Sequence, residues 1–447
     1  MSTVPSGNSS RNQSVRNLLA AGSIVLLTLL VYANTFQVPF LYDDIGAIVR
    51  FPLIRDLRLL PDLFVAKPAR FVPYATLALN YALHGLQPPG YHAVNMAVHM
   101  LAGLAVWGLS LLIMNTTPVR KRLSPDAAWW CSLAAALVFV VHPVQTQAVT
   151  YIVQRMASIA ALLYISAVWL YGRSRLQTTR NKRRARRDYL LAFCVAVLAV
   201  HSKQNTFTLP LMLLLFEWCF VPPSRRAWRP LLPFAAIALL IPAEMLFLGS
   251  ATGLGDAAAE AGAPARFSYL LTQFSVLPRY LKLMVLPVGQ TLDPHIPLVK
   301  SVAHPGAMAG VALVLAAVYA AIRLFGRHRL VTFAVGWFFI AMAVESSIIP
   351  IKDVMYEHRL YLPMAGVTIG ISYLLWQAAK TAARMRRRTR PEQEDHAGET
   401  QTSAGLKETS TETIAGERDN DGKLAGQKLH AAPPVQPRTN RQTNLLP

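Results

Sequence analysis

Asn17-Leu18-Leu19-Ala20-Ala21-Gly22-Ser23-Ile24-Val25-Leu26-Leu27-Thr28-Leu29-Leu30-Val31-Tyr32-Ala33-Asn34-Thr35-Phe36 carries no charged side chain. It is long enough to cross a bilayer, which takes roughly 20 mostly apolar residues. A few residues further on stands Phe40-Leu41-Tyr42-Asp43-Asp44, two adjacent acids at the expected membrane boundary. The rest of the chain repeats the first theme. Of its 447 residues 53% are hydrophobic and 15% charged, with a mean hydropathy of +0.34, outside the range of a soluble globular protein. The fold class expected is an all-α polytopic membrane protein in contact with the lipid bilayer.

Apolar runs place about ten transmembrane helices, at 17–36, 91–114, 127–143, 156–172, 188–200, 206–220, 229–249, 306–324, 331–350 and 360–378. The short pair at 188 and 206 can equally be one hairpin that turns inside the membrane. A net charge of +21 invites a nucleic-acid reading. The basic residues, however, cluster between apolar segments in alternate connections, around Arg120-Lys121-Arg122, from Arg173 to Arg187, at Arg225-Arg226 and from Lys380 to Arg390. That pattern signals topology, with no nucleic-acid partner and both termini cytoplasmic by the positive-inside rule. The location expected is a cell (inner) membrane, with Asp43 and Asp44 on the periplasmic or equivalent external side. Cys131, Cys194 and Cys219 lie far apart in apolar segments, so they suggest packing rather than a disulfide or zinc framework.

The domain reading is a cytoplasmic segment 1–16, a membrane domain 17–380 with external loops 37–90 and 250–305, and a disordered cytoplasmic tail 381–447 whose composition lacks core-forming residues. No repeat period is found in that tail. The first loop is long for a compact protein and is the place to look for chemistry. Tyr74 to His84 reads as a short helix ended by Gly85, and Gln87-Pro88-Pro89-Gly90 as the turn into the second span. In the second loop the Gly- and Ala-rich start reads as mobile, and Tyr269 to Lys282 as a helix lying in the interface.

Strongly polar residues gather at the external ends of the spans, where burial in lipid is costly. His92, Asn95 and His99 form a stripe on one helix face. His142 to Gln147 is followed by Gln154 and Arg155. His201-Ser202-Lys203-Gln204-Asn205 separates two apolar runs, and Glu345 and Lys352 to Arg359 precede the last span. Each group alone has a bland explanation, as helix-helix hydrogen bonding or a snorkelling anchor. Together, basic groups that suit a phosphate face a carboxylate pair that could take a proton from a hydroxyl.

The ordered motifs Tyr42-Asp43-Asp44, Asn80-Tyr81-Ala82-Leu83-His84-Gly85, Tyr91-His92-Ala93-Val94-Asn95, His142-Pro143-Val144-Gln145-Thr146-Gln147, Ser202-Lys203-Gln204-Asn205 and Glu357-His358-Arg359-Leu360-Tyr361-Leu362-Pro363 resemble the membrane part of the transmembrane and tetratricopeptide-repeat O-mannosyltransferases and their bacterial relatives. The resemblance covers about 20 to 380. It implies a GT-C type bundle with a structured first external loop. It also implies transfer of a sugar, such as the hexose mannose, from a polyprenyl-phosphate donor to an acceptor protein or glycan on the external face. On that reading Asp43 and Asp44 are catalytic, as base or orienter in an inverting transfer. Arg359, His358, Lys203 and Arg155 bind the donor phosphate. Tyr42, His92, Asn95, His142, Gln147, Gln204 and Glu357 complete the pocket. Gln147 and Gln204 are amides where many relatives carry glutamate, which leaves any divalent cation and its ligands open. The rival readings are a transporter or flippase of lipid-linked sugars, which calls for charges near the midplane and an internal repeat, and a non-catalytic membrane scaffold whose acids cap a helix.

Overall fold

The structure, a computed structural model, describes residues 7–177, 181–247, 263–346 and 354–409, and within these it is helical with no β-strand. The chain divides into two compact units, Met1–Lys380 and Thr381–Pro447. All the features below belong to the first. The helix that begins at Tyr361 runs on to Thr409, so 381–409 of the tail expected to be disordered is helical, and 410–447 lies outside the described residues.

Five described helices are long and apolar enough to cross a membrane: Arg11–Val31, Pro88–Met114, Ile152–Leu176, Pro305–Leu324 and Glu357–Arg386. Pro125–Val141 and Pro143–Thr150, bent by 53° at their junction, make a sixth if they form one broken span. Of the ten spans expected, five or six reach that length and apolarity among the described residues, and the others differ in length and charge. Leu209–Phe220 has 12 residues, about 18 Å at 1.5 Å per residue, against a hydrocarbon core of about 30 Å. Lys182–Val200 opens on Lys-Arg-Arg-Ala-Arg-Arg. The run at 229–249 breaks into the short helices Leu232–Ala238 and Leu240–Phe247, and Arg329–Met342 is also short. Leucines of the first helix such as Leu18, Leu19 and Leu30 stay exposed, as lipid-facing residues do.

Small residues bring the helices together. Ala102, Ala105, Ala135 and Ala136 are fully or almost fully buried between neighbouring helices. A Cβ at Gly310 would collide with the carbonyl oxygen of Phe274, so Pro305–Leu324 lies flush against Ala263–Val285. The interfacial helix expected at 269–282 is indeed helical, but Tyr269, Thr272, Gln273, Val276 and Tyr280 are buried. Tyr269 donates to the carbonyl of Glu345 (2.9 Å), and Gln273 to that of Val354 (2.9 Å). The Gly- and Ala-rich stretch thought mobile lies outside the described residues.

The first loop is structured. Leu60–Ala66 and Phe71–His84 are helices, the second ended by Gly85 at φ 55°, where glycine carries no Cβ penalty. Pro88 then opens the next span from its first turn, where a missing N–H costs nothing. Ile48, Ile54, Leu63, Tyr74 and Leu77 pack with Tyr91, Tyr151 and Ile152 into a separate small core, which fixes the loop to the ends of the spans.

Candidate active site

A cavity of about 520 Å³ opens between the first loop, the turn 201–208 and the segments flanking 347–353. Asp43, Tyr74, Arg70, Lys203, Glu345, His358 and Arg359 line it, with Arg70 close enough to act on both Tyr74 and Lys203. Gln154, Gln204 and Asn205 offer amides, while Phe207, Leu211, Ile241 and Pro242 make an apolar side. Phe207 and Leu211 are also exposed on the outer surface, so the polar chamber is continuous with the lipid-facing wall.

The two acids are held differently, and the backbone dictates it. Tyr42 has φ 43°, a left-handed conformation that costs a non-glycine residue about 1 kcal/mol. The turn folds Asp44 back so that one carboxylate oxygen accepts Leu41 N–H (3.0 Å) and the other Val153 N–H (2.7 Å). Asp44 is 1% exposed. Burial pushes its carboxyl up to about 6, although the two N–H groups work the other way. Ile45–Val49 forms a π-turn directly after it, a feature frequent at functional sites. Asp43 points the other way: it is exposed, lines the cavity, and gives its own N–H to the hydroxyl of Tyr151 (2.8 Å). Burial raises the Tyr151 phenol, which stays protonated beside the acid.

Also on the lining, Lys203 Nζ lies 2.6 Å from Glu345 Oε1. Burial lowers the Lys203 ammonium, and Glu345 partly restores it. His358 gives its N–H to Gln147 Oε1 (2.7 Å) and stacks on Tyr356. Arg359 donates to the carbonyl of Val354 (3.0 Å). Arg70 makes no side-chain hydrogen bond or ion pair among the described residues, yet its backbone is fixed. The ring of His201 is 3.0 Å from the carbonyl of Pro68, and its own carbonyl accepts Val72 N–H (2.9 Å).

Arg155, grouped with the phosphate-binding residues from the sequence, does not line this cavity. It is fully buried. Its donors go to Asn95 Oδ1 (2.5 Å), Asn80 Oδ1 (2.5 Å), the Tyr91 carbonyl (2.7 Å) and, more weakly, Thr76, so its guanidinium is turned to protein oxygens. Asn95 in turn donates to Val149 and Ile152. His92 binds the Val38 carbonyl (2.8 Å) and His142 that of Met284 (3.1 Å). Glu357 accepts Gln290 Nε2 (2.7 Å) and Thr291 N–H (2.8 Å), and Gln147 donates to the Leu292 carbonyl (2.9 Å). These residues stand behind the wall and hold main chain. Tyr42 is exposed beside the site, and Lys352 and Asp353 lie outside the described residues. Of the residues given a role from sequence, Asp43, Lys203, Gln204, His358 and Arg359 meet at the cavity. Among the described residues, no three His, Cys, Asp or Glu side chains come together as a metal site.

Arg70, Tyr74 and Asn205 were not singled out from sequence. Arg70 follows Lys67-Pro68-Ala69 in an unremarkable loop, and only the His201 clamp brings it to the cavity. Asn205 sat in a motif already quoted. It is 7% exposed, with its Oδ1 lacking any hydrogen-bond partner.

Sequence comparison adds to this geometry. Protein O-mannosyl-transferase Tmtc3 of Drosophila melanogaster is 29% identical over 36% of this chain and 20% of its own length. A protein O-mannosyl-transferase of Caenorhabditis elegans is 26% identical over 46% of this chain and 31% of its own. Protein O-mannosyl-transferase TMTC1 of Homo sapiens is 31% identical over 35% and 18%. Over about a third to a half of its length this chain is similar to protein O-mannosyl-transferases. It spans less than a third of the length of each of these relatives. No family model matches the chain, and no solved structure does.

Proposed function

We propose that this chain is a membrane glycosyltransferase of GT-C type that moves a sugar, a hexose such as mannose, from a polyprenyl-phosphate donor to a hydroxyl of an acceptor on the external face. The observation that carries the reading is the cavity: one exposed carboxylate, Asp43, shares a single chamber with Lys203, Arg359 and Arg70, and its apolar lining includes the surface-exposed Phe207 and Leu211. A lipid-linked sugar phosphate has the same three parts. The name protein O-mannosyl-transferase carried by similar proteins supports mannose as the sugar, and the alternation of basic connections supports a cytoplasmic location for both termini, with the site on the opposite side of a cell membrane.

In the transfer, the acceptor oxygen attacks the anomeric carbon while the bond from that carbon to the phosphate oxygen breaks. The bonding pair leaves with the lipid phosphate, and the acceptor proton passes to Asp43. The configuration inverts. Positioned cations stabilise the charge that develops on the leaving phosphate, and a base in hydrogen-bond reach contributes about 10² to 10⁴ in rate. Arg359, Lys203 and Arg70 take the phosphate, with His358 beside them. Asp44 orients Asp43 by fixing the turn to Val153. Arg155 holds the first loop to the spans from behind. The test is transfer of labelled sugar from polyprenyl-phosphate mannose in membranes carrying the protein. Asp43→Asn lowers it about 10² to 10⁴-fold, and full retention by that variant overturns the mechanism.

A further inference from the structure

Three buried carboxylates surround this site, and they are not held alike. Asp44 and Glu357 each have both oxygens bound by N–H donors. Glu345, 6% exposed and on the cavity wall, has one oxygen 2.6 Å from Lys203 Nζ, while its other oxygen is buried without a hydrogen-bond partner. It also sits just past the end of the helix Arg329–Met342, where the dipole disfavours an anion. Its direct ion pair is with that single Lys203 ammonium, and the Arg359 guanidinium adds a more distant attraction. That ammonium lines the same wall as Arg359 and Arg70, and Arg70 carries no counterion among the described residues.

We propose that Glu345 is a displaceable counterion, which neutralises Lys203 while the cavity is empty and yields it to the phosphate of the incoming lipid-linked donor. The inference rests on the donor reading above. A buried lysine left without an anion is costly, so the ammonium needs a partner before the substrate arrives and again after the product leaves. A phosphate entering the cavity meets a lining that carries Lys203 with Arg359 and Arg70 near enough to act on it, whereas Glu345 offers Lys203 one oxygen. The exchange swaps anion for anion with no interval in which the charge is bare. It also speeds release, because the returning carboxylate competes with the product phosphate. Glu345 is a positioning residue in this scheme and touches no reacting atom.

The full chain, purified in detergent, is titrated calorimetrically with farnesyl phosphate as the lipid phosphate and with inorganic phosphate as the headgroup alone. Removing the competitor with Glu345→Gln tightens farnesyl phosphate binding about tenfold, a change of about 1.4 kcal/mol. Lys203→Gln weakens it by a similar factor, and Glu345→Gln has no effect in the Lys203→Gln background. In transfer assays Glu345→Gln lowers both KM for the donor and kcat, a split that a purely structural residue would not give. Glu345→Asp keeps the charge with a shorter reach and tightens binding a few-fold, which serves if the glutamine variant fails to fold. Unchanged or weaker binding in a folded Glu345→Gln protein overturns the exchange while leaving the donor reading intact. Tightening seen with inorganic phosphate alone overturns the lipid source. A wild-type protein that binds neither probe overturns the donor reading and the exchange together.

Discussion

Replacing Asp44 by asparagine separates the two acids by what each loses. The carboxylate of Asp44 accepts two backbone N–H groups, from Leu41 and Val153, at 1% exposure. An asparagine keeps one acceptor and turns an NH₂ toward the other N–H. That removes one charge-assisted hydrogen bond, worth about 1.5 to 3 kcal/mol, and strands a buried donor at about 1 to 3 kcal/mol. Allowing for relaxation of the turn, the loss is about 3 kcal/mol. Asp43→Asn alters an exposed side chain, so its stability stays within about 0.5 kcal/mol of wild type while transfer falls about 10² to 10⁴-fold. Heating purified protein in detergent and following tryptophan fluorescence reads the first quantity, and labelled-sugar transfer at low temperature reads the second. The reasoning is refuted if Asp44→Asn melts with wild type, or if Asp43→Asn proves the less stable of the two.

The Asp44 carboxyl is raised to about 6 in the folded protein against an ordinary 3.8. Between those values the folded state holds the extra proton, so this group's contribution is full below about pH 4 and is lost as pH rises through about 6; melting wild type and Asp44→Asn across pH 4 to 7 should show that slope only in wild type. Arg155→Met strands the oxygens of Asn80, Asn95 and Tyr91 and costs about 3 kcal/mol or more, and Arg155→Lys restores little because an ammonium lacks the planar fork; melting or yield of folded protein checks both. Arg70→Gln raises KM for the lipid donor about tenfold with an unchanged melting point, since Arg70 is tied only by its backbone. Tyr42→Gly relieves the left-handed strain and raises stability by up to about 1 kcal/mol, whereas Tyr42→Val lowers it; thermal melting decides.

The polar residues could be found in the sequence because lipid makes each of them conspicuous. Asp43, Lys203, His358 and Arg359 stood out as ionisable groups at the ends of apolar runs, and the cavity draws them together. What composition cannot distinguish is a side chain that faces the cavity from one that faces main chain behind it. Arg155 and Glu357 have the same type and depth as true wall residues, and only their hydrogen-bond partners, 60 to 79 residues away in sequence, reveal their orientation. Arg70 was hidden for the converse reason, as one arginine among several in a loop, selected by a backbone clamp at His201. Span number is not legible from apolar runs alone, because runs such as 206–220 and 229–249 fold here as short helices.

The anchors Asp44 and Glu357 both reach across the chain to grip peptide N–H groups, at Val153 and Thr291. A peptide N–H is supplied by any residue except proline. The side chains at 153 and 291 can therefore drift freely through evolution while the acids cannot, and compensating changes at those two positions would leave no correlated trace of these contacts. Their signature would be negative: proline should be the one residue excluded from both positions.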